Sequence, residues 1–124
     1  MIETKNALIT STMLGIEDHG IMSFFLYLDY GDSGHQGAGG YCLDEPLKDR
    51  NGRFIRRVGS ANGMDLIMKI LEVVDVEKWE DLPSKHIRVK AEYTKVHAIG
   101  HITKDKWLDF DEFWSEMKEL AKEK

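Results

Sequence analysis

A chain of 124 residues fits one domain and buries roughly two-thirds of its unfolded surface, enough for a core that needs no disulfide or metal. Its 42% hydrophobic and 31% charged residues exclude a disordered or membrane-embedded composition. A net charge of −5 argues against a protein that coats DNA or RNA, because such affinity rests on Lys and Arg contacts to phosphate.

Met1 to Asn6 lack the charged start and apolar run of a secretion signal. The longest apolar stretch, Ile21 to Leu28, falls far short of the ~20 residues that span a bilayer. A lone cysteine, Cys42, suits a reducing compartment. A cytoplasmic protein with no membrane partner is expected.

Asn6 to Leu14 is rich in β-branched and apolar residues and reads as a strand, followed by a polar turn at Glu17-Asp18-His19-Gly20. Ile21 to Tyr30 reads as a second strand, apolar on both faces. Gly31 to Gly40 holds five glycines and reads as a hairpin loop or a backbone that approaches something closely. Tyr41-Cys42-Leu43 predicts a short third strand, and Leu47 to Phe54 a charged loop. From Ala61 to Val76 the period is helical, with apolar residues on more than one face, which suits a helix inside its own core or one covered by a second subunit.

Trp79 to Leu82 reads as a short turn, and His86–Thr94 and Val96–Thr103 as two further strands. The last helix starts at Asp109, a suitable N-cap with Glu112 three residues on, and buries Phe110, Phe113, Trp114, Met117 and Leu120. The expected class is α+β: one ligand-binding domain over residues 1–124, with an antiparallel sheet of about five strands, a central helix and a C-terminal helix. The expected order is β-β-β-α-β-β-α.

The residues with most chemical content run from Arg56 to Gly63 (RRVGSANG), directly into the central helix. A helix start presents unpaired N–H groups and about half a positive charge. Gly63 lets a ligand approach, Ser60 and Asn62 offer hydrogen bonds, and Arg56 and Arg57 offer bidentate contacts to phosphate. The same residues also suit a plain helix cap with solvated arginines. No Lys-Ser or Lys-Thr follows the last glycine, so the nucleotide-hydrolysing loop pattern is absent. Tyr41, after the glycine-rich stretch, offers a ring for a flat base, although a surface hairpin explains the glycines equally well.

His101 and Thr103 share a strand face and offer hydrogen bonds or stacking to a ligand, or serve the strand itself. His97 and His101 lie about 13 Å apart on an extended strand, too far for one metal ion. Glu17-Asp18-His19 has no nucleophile motif beside it, and Asp44-Glu45 and Glu80-Asp81 read as solvated carboxylates. No catalytic residue, metal or cofactor is expected.

Lys5–Thr12 (KNALITST), Gly15–Ile21 (GIEDHGI), Gly39-Gly40-Tyr41, Gly63–Glu72, Trp79-Glu80-Asp81-Leu82 and His86-Ile87-Arg88-Val89 together resemble a family of small phage and prophage proteins, Thoeris anti-defence protein one. The similarity runs to about Trp107. It implies a sponge that binds glycocyclic ADP-ribose signals made by bacterial TIR-domain enzymes and holds them uncut, in some members cyclic oligonucleotides as well. It also implies homodimers that pair into larger homo-oligomers, and ligand contacts at Arg57, Asn62, Met64, His101 and Thr103. Two other functions fit the residues: a phage protein that blocks a host defence protein or nuclease by direct contact, and a weak nucleotide hydrolase.

Overall fold

The computed structural model describes residues 1–122. Among them the elements are β1 (Glu3–Asp18), β2 (Ile21–Asp29), β3 (His35–Gly39), β4 (Asp44–Lys48), β5 (Phe54–Gly59), α1 (Ala61–Val74), β6 (His86–Ala91), β7 (Val96–His101), β8 (Trp107–Asp109) and α2 (Phe110–Lys122). Six strands form an antiparallel sheet in the order β3-β2-β1-β6-β7-β8, and β4 pairs with β5 as a separate hairpin. The α+β class and the antiparallel sheet match expectation. The strand count and topology do not, because four strands were not foreseen, β3, β4 and β5 in segments with little apolar alternation and the three-residue β8, and the expected strand Tyr41–Leu43 is an irregular connector.

β1 runs past its expected end, through Gly15-Ile16-Glu17 to Asp18. The reversal to β2 takes only His19 and Gly20, both at positive φ (54° and 70°), the two-residue turn whose twist matches antiparallel strands. The register skips Thr10 between Ile9↔Leu28 and Ser11↔Tyr27. That bulge switches the alternation, so Thr12, Leu14 and Ile16 face the same side as Ile9.

The glycine-rich stretch is largely strand. After a 3₁₀ turn at Gly31–Ser33, β3 pairs with β2, and the Phe25 ring lies over Gly37, where a Cβ would sit 3.3 Å from it. Gln36 Nε2 donates to the carbonyls of Glu92 (2.9 Å) and Tyr93 (3.2 Å), tying β3 to the β6–β7 turn. β8 was hidden in sequence by its length. It pairs with β7 where Gly100 leaves room for the Trp107 ring, which a Cβ would approach to 2.6 Å.

One core joins the inner sheet face to both helices: Ile9, Phe24, Leu26, Leu28, Ile87, Val89 and Ile99 pack with Leu66, Ile70 and Val73 of α1 and Phe110 and Phe113 of α2. Each such side chain contributes roughly 2 kcal/mol by leaving water. α1 ends at Val74 because Asp75 turns left-handed (φ 69°) and its N–H donates to the Leu71 and Glu72 carbonyls. α2 opens as expected, with the Glu112 N–H donating to Asp109 Oδ1 at 3.0 Å. Leu120, expected in the buried stripe, is exposed, since the sheet ends before the last turns of α2. Met64 and Met68 form a second apolar face on α1 that this chain leaves open, at 61% and 60% exposure. Among the described residues no helix is long and apolar enough to cross a membrane.

Candidate functional site

The start of α1 is built from three chain segments. Ser60, the N-cap, accepts the Gly63 N–H on Oγ at 2.9 Å and donates from Oγ to the Leu43 carbonyl at 3.2 Å. The Ser60 N–H donates to the same carbonyl at 3.3 Å. Gly63 is buried because the Leu43 backbone crosses it, and a Cβ there would run into the Leu43 carbonyl. The close approach that this glycine permits is thus made by the chain's own connector. The amides of Ala61 and Asn62, one and two residues inside the helix, find no acceptor among the described residues, and both residues are exposed.

Beside this helix start lies an open recess of about 210 Å³, lined by Leu14, Met22, Leu43, Gly59, Ser60, Gly63, Met64 and Ile67. Its walls are almost wholly apolar. Asn62 is exposed and unpaired among the described residues, as is Arg56 on β5. A larger concavity of about 390 Å³ at Ser115, Glu116, Glu119 and Leu120 is walled by α2 alone and gathers no converging polar groups.

Arg57 is already engaged. Its Nε donates to Asp44 Oδ2 at 2.9 Å and its Nη2 to Asp44 Oδ1 at 2.8 Å, a bidentate pair across the β4–β5 hairpin. Asp44 also accepts the Met22 N–H at 3.2 Å, which docks the hairpin base on β2. The reading of Asp44 as a solvated carboxylate is therefore corrected: its side chain is 7% exposed. The hydrogen bonds from Arg57 hold its carboxyl well below the usual range.

Tyr41 packs inward, its ring stacked on Phe110 with centroids 4.8 Å apart, and burial raises its phenol. His101 and Thr103 lie at the other end of α1. His101 Nδ1 accepts the backbone N–H groups of Thr103 (3.1 Å) and Lys104 (2.9 Å), capping the turn after β7, and its Nε2 faces Asp75 at 3.7 Å. Lys104 donates to Asp75 at 2.9 Å, which chiefly draws the Asp75 carboxyl down. At 1.5 Å per residue the two ends of α1 are about 20 Å apart.

The structure therefore brings Gly63 and Met64 into the wall of the recess, leaves Asn62 exposed on the first turn of α1 and Arg56 exposed on β5 outside that wall, places Arg57 in the hairpin clamp, and sets Tyr41, His101 and Thr103 elsewhere. Leu14, Met22, Leu43 and Ile67 were not foreseen in the site. They read as ordinary core positions: Ile67 lies one turn along α1, and the β1 bulge, β2 and the connector bring Leu14, Met22 and Leu43 to the helix start. Among the described residues no three of His, Cys, Asp and Glu converge to hold a metal ion. Compared with models of known families, with curated proteins and with solved structures, the chain matches none.

Proposed function

We infer that the chain is a binding protein that takes up a phosphate-bearing cyclic nucleotide signal of the glycocyclic ADP-ribose kind and holds it uncut. This follows the anti-defence family that the sequence resembles, and it places the protein in the cytoplasm of an infected bacterial cell. The observation that carries the reading is the apolar recess walled in part by Ser60 and Gly63 at the start of α1, whose Ala61 and Asn62 amides lie between them in the chain with no partner found among the described residues. A purine or ribose suits such a floor, and phosphate oxygens suit the amides and the positive end of the helix. Retention needs preorganised donors and no general base.

At about 210 Å³ the recess is smaller than the ~300 Å³ at the low end of ligand pockets, so one chain covers only part of such a ligand. Assembly into homodimers, also implied by the resemblance, would add cover. Calorimetric titration with glycocyclic ADP-ribose tests the site. Asn62→Ala and Met64→Lys should each weaken affinity about tenfold or more, while Thr103→Ala should leave it unchanged. The reverse pattern would move the ligand to the far end of α1. A second reading, direct blocking of a host protein, is favoured by one feature: Phe54 and Ile55 stand 62% and 54% exposed on the hairpin.

A further inference from the structure

Every residue from Glu45 to Arg56 is exposed, so most of the β4–β5 hairpin stands out from the body as an arm. A lone two-stranded hairpin is only marginally stable in water. This one is fixed at both ends. At its base the Arg57–Asp44 pair clamps it to β2. At its tip Asp49 Oδ1 accepts the Asn51 N–H at 2.9 Å and the Arg53 N–H at 3.0 Å, and the Asp49 N–H donates to the Arg53 carbonyl at 2.9 Å.

The arm is a basic part of an acidic protein. From Lys48 to Arg56 four cations stand against one acid, Asp49, in a chain whose net charge is −5. The Asp49 carboxylate is engaged by the turn it closes. Among the described residues none of Lys48, Arg50, Arg53 and Arg56 has an ion-pair partner. The five residues of β4 hold the tip roughly 15 Å from the clamp. The Debye length at physiological ionic strength is about 8 Å, so the acids of the body barely offset the cations of the tip.

The register sets where these charges point. Lys48 lies opposite Phe54, and Leu47 opposite Arg56, so each face of the arm carries one cation and one apolar side chain. Ile55 is the extra residue between those pairs. Protein interfaces are depleted of charge at their centres, whereas every apolar side chain of the arm has a cation beside it. A bilayer would have to admit the tip first, and the tip is Arg50-Asn51-Gly52-Arg53. A groove with an anionic wall on either side matches both faces at once.

We propose that the arm enters the major groove of double-stranded DNA. That groove is about 12 Å wide and about 8.5 Å deep and admits a two-stranded ribbon. Lys48 and Arg56, on opposite faces, meet the phosphates of its two walls, and Arg50 and Arg53 lead into it. Phe54 and Ile55 supply apolar contact to sugars and thymine methyls. Four cations on one arm give a modest, salt-sensitive contact, which an acidic chain that does not coat DNA can still make. The contact is independent of signal retention, and its test uses no cyclic nucleotide.

Fluorescence anisotropy of a labelled DNA duplex of about 20 base pairs, titrated with the full chain, measures it. Affinity should fall roughly a hundredfold between about 50 and 200 mM salt, a logarithmic slope of about −3 to −4. Arg50→Glu combined with Arg53→Glu alters two exposed side chains outside the clamp. It should weaken binding at least tenfold and flatten the slope by about 2, with an unchanged circular dichroism spectrum. Should that variant misfold, amide hydrogen exchange of the unaltered chain gives an independent reading, since amides from Asp49 to Arg56 should slow on saturation with duplex. A duplex of RNA, whose major groove is too narrow for the ribbon, should bind more weakly. Absence of binding at low salt, a folded double variant that binds as before, or equal affinity for the RNA duplex would each overturn the proposal. So would uptake on phosphatidylserine vesicles without binding to the DNA, which would assign the arm to a membrane surface.

Discussion

The Arg57 guanidinium grips both carboxylate oxygens of Asp44, at 2.9 and 2.8 Å, and through Asp44 it holds the β4–β5 hairpin to the backbone of Met22. Removing either partner leaves the other in a half-closed site without its counter-charge. Arg57→Ala and Asp44→Ala should therefore lower the thermal midpoint by similar amounts, and the double variant by much less than their sum. Arg57→Lys should not restore the loss, because an ammonium cannot present the same fork. Circular dichroism melts of the four proteins check this. Additive losses would show that the pair does not act as one unit.

Acid should loosen the fold. Three carboxyls are held below their ordinary range: Asp44 by hydrogen bonds from Arg57, Asp75 by Lys104, and Glu92 by His97 at 2.6 Å. A carboxyl that is more acidic folded than unfolded lends stability that is fully present at neutral pH. The loss begins once the pH falls below about 4, where the unfolded groups take up protons, and is complete below the folded value. Urea midpoints measured from neutral to about pH 3 should fall steeply at the acid end, and Asp44→Asn should flatten that fall.

Two glycines five residues or fewer from the helix start should respond in opposite ways. A Cβ on Gly63 meets the Leu43 backbone, while a Cβ on Gly59 meets nothing within 4 Å. Gly63→Ala should cost about 1 to 3 kcal/mol by overpacking. Gly59→Ala should be close to neutral or mildly stabilising. Denaturant unfolding of the two variants decides it.

Legibility in the sequence followed the strength of local signals. α1 and α2 were readable because apolar residues recur at helical spacing and Asp109 stands at a capping distance from Glu112. The hairpin was not, since Asp44-Glu45-Pro46-Leu47-Lys48 has little buried surface and so no alternation to betray a strand. The glycines of β3 resembled a loop because their purpose, a floor for Phe25, lies on another strand. At the candidate site Arg57 and Gly63 were conspicuous as residue types, but their partners, Asp44 and Leu43, are distant in the chain. An arginine or glycine that serves a ligand and one that serves a neighbouring strand look alike until the fold brings the neighbour in.

The central claim, retention of an intact signal, is tested most directly by capture and release. The purified chain is incubated with glycocyclic ADP-ribose, washed free of unbound ligand and heated, and the released material is weighed by mass spectrometry. The proposal predicts recovery of unaltered ligand in an amount comparable to the protein. Recovery of cleaved products would make the protein an enzyme, and release of nothing would leave the exposed hairpin and a protein target as the better reading.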